Sequence, residues 1–152
     1  MLDEVTLAKY VEQAIKLRLA GHELLLCHTI PEILRCSNGI GPEAFPQKLR
    51  DMIDRANPTA LCASIIHDLR FTYGKGTKAD FLQANADMEI NIWLLADDNY
   101  GWYNPARYWA KFKGHQFRKA CDRFGWDAYL AAIELRKKDP ELQNKETVLG
   151  LS

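Results

Sequence analysis

A histidine and an aspartate stand side by side as His67 and Asp68, within the stretch ASIIHDLRFTYG. On a helix, neighbouring side chains diverge by about 100°, so these two cannot bind one metal ion together as ligands four residues apart do. Each must therefore act on a different partner. A histidine oriented by a hydrogen bond can serve as a general base, and a carboxylate can bind a cation.

A candidate partner for His67 lies on the next helical segment. Four of its residues recur at helical spacing, namely Asp80, Ala84, Asp87 and Asn91. If this polar stripe faces His67, a carboxylate there can accept the imidazole N–H, fix the tautomer and leave the other ring nitrogen as a base. Asp80 and Asp87 share a face, and we favour Asp87 because Asp80 is also placed to cap its helix. More often, such a stripe is only the solvated face of a helix.

A candidate partner for Asp68 is the segment SNGIGP at 37–42, which holds Gly39 and Gly41. A loop with two glycines can turn its backbone carbonyls inward. Carbonyl oxygens joined by one carboxylate suit calcium, a hard cation that prefers oxygen ligands. Taken alone, the segment is equally typical of a turn that ends a helix with a left-handed glycine.

Together these motifs resemble the phospholipase A2 pattern. In that family a glycine loop of the form x-x-G-x-G binds calcium, a His-Asp pair lies on one helix, and a second aspartate lies on the antiparallel helix. SNGIGP, IHDLRFTYG and ANADMEINI occur here in the same order, over roughly residues 36 to 130. The likeness is to the lean form of the family, found in parvoviral capsid proteins and in bacterial and phage relatives. The segment RKACDRFGWDAYL of this chain also resembles the aromatic C-terminal segment of those bacterial relatives.

The resemblance implies calcium as the cofactor and a set of roles. The implied calcium ligands are three backbone carbonyls and one carboxylate, those of Ser37, Gly39, Gly41 and Asp68. His67 would be the base, and Asp87, in the family's Ala-Asp position, its orienting partner. The implied reaction is attack of water on the sn-2 ester of a glycerophospholipid, with calcium polarising the ester carbonyl.

The residue four positions after His67 departs from the family pattern. Phe71 stands four residues after His67, where the family usually has a tyrosine whose hydroxyl joins the network to the second aspartate. Tyr73 is two residues further on, on a different face, and could replace it only if the helix end unwinds. The alternative is therefore a non-catalytic helical phage or bacterial accessory or structural module that retains the phospholipase A2-like fold.

Composition limits the remaining classes. The 152 residues, 47% hydrophobic and 26% charged, predict a single domain over 1–152. Twenty basic and twenty acidic side chains cancel, so we expect no nucleic-acid partner. No apolar run approaches the roughly 18 residues of a membrane span. The acidic start MLDEVTLAKY is unlike a signal peptide, so we expect a cytoplasmic protein unless another route exports it. The four scattered cysteines favour neither a disulfide framework nor zinc.

Helical periodicity dominates the chain and predicts an all-α fold. The first helix is expected over about residues 3 to 20, ended by Gly21, and a break is expected at Pro31. Phe45-Pro46 opens a short helix, and Asn57-Pro58 begins a longer one that Gly74 ends.

Thr77 is expected to cap the helix that follows the tight connection TYGKGTK. A connection this short predicts an antiparallel pair of facing helices, with further helices on the N- and C-terminal sides. The core stripe of the second helix of the pair is predicted to be Phe81, Met88, Ile92 and Leu95.

Aromatic residues concentrate in the region from Tyr100 to Tyr129, which holds ten of the sixteen in the chain. Six Lys or Arg residues lie between Arg107 and Arg123, against the single acid Asp122. Mixed aromatic and basic character suits transient contact with a membrane surface, and so a phospholipid substrate. Aromatic residues at helical spacing are, however, more often part of the core.

Overall fold

The computed structural model describes residues 3–39 and 58–143 of the chain. All regular secondary structure in these two ranges is helical, so the predicted all-α class is confirmed for them. The helices are α1 (Glu4–Lys16), α2 (His22–Leu26), α3 (Ile30–Gly39), α4 (Pro58–Thr72), α5 (Lys78–Asn99), α6 (Pro105–Phe124) and α7 (Trp126–Lys138). A helical segment at 140–143 follows α7. The helix predicted after Phe45-Pro46 lies outside the described residues.

The helices α4 and α5 form the predicted antiparallel pair. Close to their connection, the backbone N–H of Lys75 donates to Asp80 at 2.9 Å. At the other end, the Asn99 amide donates to the hydroxyl of Thr59 near the start of α4. The end of α4 thus lies near the start of α5, and the start of α4 lies near the end of α5. The two helices therefore run in opposite directions.

Local sequence signals explain how α5 begins and which face it buries. Thr77 is the N-cap, and its hydroxyl accepts from the backbone N–H of Asp80 at 3.2 Å. The predicted core stripe is buried throughout, at Phe81, Met88, Ile92 and Leu95. The predicted cap and stripe are therefore both confirmed.

The helix α1 ends earlier than predicted, at Lys16 rather than close to Gly21. Arg18 adopts a left-handed conformation with φ of 50°, the N–H of Leu19 bonds to the carbonyl of Ala14, and that of Arg18 bonds to Ile15. These two bonds make a Schellman motif, which usually has glycine at the left-handed position. The turn buries Leu19 completely, and this burial stabilises the early end of α1. The spacing of apolar residues in the sequence does not indicate this end.

Two further helices cover the pair. Asn104 is the N-cap of α6, and Pro105 is the first residue of that helix. The helix α6 lies along α5. The helix α7 packs on α4, where Tyr129 lies among the buried rings of Phe71 and Phe81. None of the helices in the described ranges is long and apolar enough to cross a bilayer.

Candidate functional site

His67 is buried on α4, with 3% of its side chain exposed. Its Nε2 lies 2.8 Å from the Oδ1 of Asn85 on α5. The helix pair thus brings the histidine to a polar partner on the facing helix, as expected, but that partner is an amide.

Asn85 and its second partner together fix which ring nitrogen of His67 carries the proton. The Nδ2 of Asn85 lies 2.8 Å from the Oδ1 of Asp122 on α6. An ionised carboxylate can only accept, so the amide must donate to Asp122 and present its oxygen to His67. His67 is therefore the donor through Nε2–H, and in the neutral ring Nδ1 is left as the basic nitrogen.

The free nitrogen of His67 lies on the side of Asp68. Its Nδ1 is 3.9 Å from the Oδ1 of Asp68, too far for a direct hydrogen bond, and one fifth of the Asp68 side chain is exposed. Burial raises the pKa of Asp68, and the neighbouring His67 partly opposes that increase. A candidate base and a partly exposed carboxylate therefore lie next to each other.

The predicted contact between His67 and Asp87 is wrong. Asp87 instead forms an ion pair with Arg70 and accepts a hydrogen bond from Gln83 at 2.8 Å. Positions 85 and 87 are separated by about 200° around a helix. When α5 is rotated so that Asn85 points at His67, Asp87 therefore points away from it.

Asp80, the alternative partner, does not contact His67 either. Its carboxylate accepts from the N–H of Lys75 and from the hydroxyl of Tyr129, the latter at 2.7 Å. Asp80 thus holds the connection between α4 and α5 against α7.

The predicted calcium loop is only partly within the described residues. Ser37 and Gly39 belong to the last turn of α3, so the prediction that the loop begins at Ser37 is wrong for 37–39. Burial of Ile33 and Cys36 against the rest of the core supports helix up to this point. Gly41 lies outside the described residues.

Cys36 of α3 nevertheless lies within electrostatic range of Asp68. Burial raises the pKa of Cys36 to about 11, a hydrogen bond from Thr72 opposes the rise, and the charge of Asp68 adds to it. Next to Cys36, the buried hydroxyl oxygen of Ser37 has no hydrogen-bond partner within the described ranges. No three His, Cys, Asp or Glu side chains of the described chain converge as a metal site, but the predicted ligands are mainly carbonyls.

Phe71 fills the position that the family gives to tyrosine. Its ring is fully buried and packs on His67, with the ring centroids 4.1 Å apart. Tyr73 does not replace the missing hydroxyl, because it packs on His28 and its buried hydroxyl has no partner among the described residues. The hydroxyl of Tyr129, on the other side of Phe71, bonds to Asp80.

The polar chain continues from Asp122 towards the surface. The Nε of Arg118 lies 3.6 Å from Asp122, and its guanidinium also donates to Glu89 at 2.9 Å. His115 lies 2.8 Å from Glu89. Burial alone would raise the pKa of Glu89, but the hydrogen bonds from Arg118 and His115 outweigh it and lower that pKa.

Sequence reasoning missed Asn85 and Asp122. A signal for Asn85 was present, since it follows the same helical spacing as Phe81, Met88 and Ile92 and is therefore a polar residue in the core stripe. Such a residue needs a buried partner. Asp122 stood out only as the single acid of a basic stretch.

The aromatic residues of α6 and its surroundings divide into two groups. Phe117 and Tyr129 are core residues. A second group is largely exposed, and we call it the aromatic surface: Trp102, Tyr103, Tyr108, Trp109 and Phe112. Lys113 lies over the Trp109 ring, with its Nζ 5.4 Å from the centroid.

Comparison of the chain with protein-family models, curated proteins and solved structures gave no match in any of the three. The likeness to phospholipase A2 therefore depends on the motifs alone, and the chemical roles of His67 and Asp68 stay predictions.

Proposed function

We propose that this chain is a calcium-dependent hydrolase of the sn-2 ester of glycerophospholipids, built on a phospholipase A2-like helix pair. One observation supports this most. His67 is oriented through Nε2, and its basic Nδ1 lies beside the partly exposed Asp68. A general base next to a candidate cation ligand is what metal-assisted attack of water on an ester requires.

In this proposal Nδ1 of His67 takes the proton from the attacking water. Asn85 replaces Asp87 as the group that orients the ring. An amide adds no negative charge, so it stabilises the imidazolium less than a carboxylate would.

The oxygen donors present suit calcium. Asp68 supplies a carboxylate, and Ser37 and Gly39 of α3 supply backbone carbonyls. The resemblance adds the carbonyl of Gly41. Calcium, when bound, would polarise the ester carbonyl and hold the phosphate.

A phospholipid surface is the proposed site of action. The aromatic surface places indole and phenol rings in solvent, with Lys113 beside Trp109. Rings of this kind favour the headgroup level of a bilayer, where a cation can meet phosphate.

A second candidate is a non-catalytic helical accessory or structural module of phage or bacterial type. The packing of Phe71 favours it, because an apolar ring fills the place of the tyrosine hydroxyl against His67.

The test uses the full chain and three variants. Calorimetric titration with calcium and release of a labelled sn-2 fatty acid from phospholipid would be measured for wild type, His67→Gln and Asp68→Asn, with Asp127→Asn as an exposed control. We expect Asp68→Asn to weaken calcium binding by about tenfold or more, since it removes the charged ligand. His67→Gln should abolish hydrolysis while calcium affinity and melting temperature stay close to wild type.

Two results would contradict the hydrolase proposal. Wild-type protein that binds no calcium at millimolar concentration with lipid present would favour the non-catalytic module. Hydrolysis by His67→Gln at the wild-type rate would exclude His67 as the base.

A further inference from the structure

We propose that Asp122 is a positioning residue that fixes the tautomer of His67 by setting the direction of the hydrogen-bond chain His67–Asn85–Asp122. Its consequence for turnover rests on the hydrolase function proposed above. Its consequence for the ring tautomer is independent of that function.

The hydrogen-bond chain His67–Asn85–Asp122 joins three helices by two hydrogen bonds. Asn85, on α5, is completely buried between His67 on α4 and Asp122 on α6, and both of its bonds are 2.8 Å long. Because Asn85 is completely buried, both polar ends of its amide need hydrogen-bond partners, and these two side chains supply them.

Asn85 by itself does not set a direction. Its amide could be turned over, with Nδ2 towards His67, and the ring would then accept through Nε2 and carry its proton on Nδ1. That tautomer has no basic nitrogen on the Asp68 side. The histidine and the asparagine are therefore compatible with both arrangements.

Asp122 removes the second arrangement because a carboxylate has no proton to donate. Turning the amide over would place Oδ1 of Asn85 against the Asp122 carboxylate, with two acceptors in contact and both unsatisfied. Arg118 forms an ion pair with the other carboxylate oxygen of Asp122, with its Nε 3.6 Å away. The Asp122 carboxylate on α6 thus sets the orientation of the Asn85 amide, and that amide sets the tautomer of His67.

Replacement of Asp122 by asparagine changes the direction of the hydrogen bonds without changing the shape of the side chain. Asp122→Asn keeps the size of the side chain but can present either an oxygen or an NH2 group to Asn85. Both amides can then turn over together, and His67 can adopt either tautomer. Asp122→Glu keeps an acceptor-only group and should retain the wild-type tautomer.

The experiment is long-range ¹H–¹⁵N correlation NMR on full-length protein with ¹⁵N-labelled histidine, at a pH where the ring is neutral. Wild type should show His67 protonated on Nε2 alone. Asp122→Asn should add a population protonated on Nδ1, whereas Asp122→Glu and the exposed control Asp127→Asn should not. In the hydrolysis assay, Asp122→Asn should lower kcat by about tenfold or more, with KM and calcium affinity unchanged.

Several outcomes would overturn the inference. Wild-type His67 protonated on Nδ1 would do so without any variant, and so would a folded Asp122→Asn protein that stays wholly in the Nε2–H form. If the tautomers change as expected while wild type hydrolyses no phospholipid, the inference stands and the proposed function fails.

Discussion

At the scale of residues, His67 is held by two aromatic rings and one amide. Phe71 packs against it in a tilted arrangement, Phe117 lies in a T-shaped arrangement with the ring centroids 6.4 Å apart, and Asn85 binds its Nε2. These contacts leave Nδ1 as the part of the ring that faces Asp68. Nδ1 is therefore the ring nitrogen that we expect to take part in chemistry at this site.

Restoration of the family's tyrosine should destabilise this protein. Phe71 is completely buried, with the ring of Tyr129 5.1 Å away and that of Phe81 5.8 Å away by centroid. A hydroxyl added by Phe71→Tyr would be crowded and unpaired, at a cost of about 1–3 kcal/mol in the free energy of unfolding. Urea denaturation measures this, and Phe112→Tyr, at an exposed site, should change stability by less than about 0.5 kcal/mol.

A stable and more active Phe71→Tyr variant would contradict that expectation. It would mean that the new hydroxyl reaches an acceptor, and that the wild-type phenylalanine marks reduced activity.

At the scale of elements, the site depends on how closely α6 approaches α5. Gly114 of α6 faces Ile92 of α5, and a Cβ at Gly114 would lie 2.9 Å from the Cγ2 of Ile92. The missing side chain permits the close approach that brings Asp122, further along α6, to Asn85.

Substitution of Gly114 by alanine should therefore lower stability, although alanine normally stabilises a helix interior over glycine by about 0.5–1 kcal/mol. We expect Gly114→Ala to lower the free energy of unfolding by about 1–3 kcal/mol through overpacking. Gln116→Ala, at an exposed site on the same helix, is the control. In a double-mutant cycle with Ile92→Ala, the combined loss should be smaller than the sum of the two single losses. A stabilised Gly114→Ala variant would show that the helices can separate without cost.

At the scale of the whole molecule, the aromatic surface and the candidate site occupy different parts of α6. Trp109 lies close to its start and Asp122 close to its end. At a rise of 1.5 Å per residue, these positions are about 20 Å apart along the helix axis. Membrane contact and chemistry can therefore be changed separately.

Loss of two exposed rings should weaken binding to lipid without harm to the site. Trp109→Ser combined with Phe112→Ser should reduce affinity for vesicles of phosphatidylcholine and phosphatidylserine by about tenfold or more, since burial of each ring is worth about 1.5–3 kcal/mol. Sedimentation with vesicles measures this, and Leu135→Ser, an exposed apolar site on α7, is the control. Hydrolysis of a dispersed short-chain phospholipid should stay unchanged.

Equal vesicle binding by the double variant and wild type would remove the aromatic surface from the proposal. The exposed rings would then serve another purpose, and the hydrolase proposal would depend on His67 and Asp68 alone.

The sequence by itself determined the all-α class of the described chain, the antiparallel pair and the core stripe of α5. These features depend on near neighbours: the cap of Thr77, the short connection after Tyr73, and apolar residues that recur with the helical period.

Only the tertiary structure decided which residue His67 meets. Asn85 and Asp87 are two positions apart and differ by about 200° in direction, so the rotation of α5 against α4 selects the amide. Asp122 comes from α6, 37 residues after Asn85, and no local pattern connects the two. Motif spacing identifies residue types that could react, but the packing of three helices determines which of them share a proton.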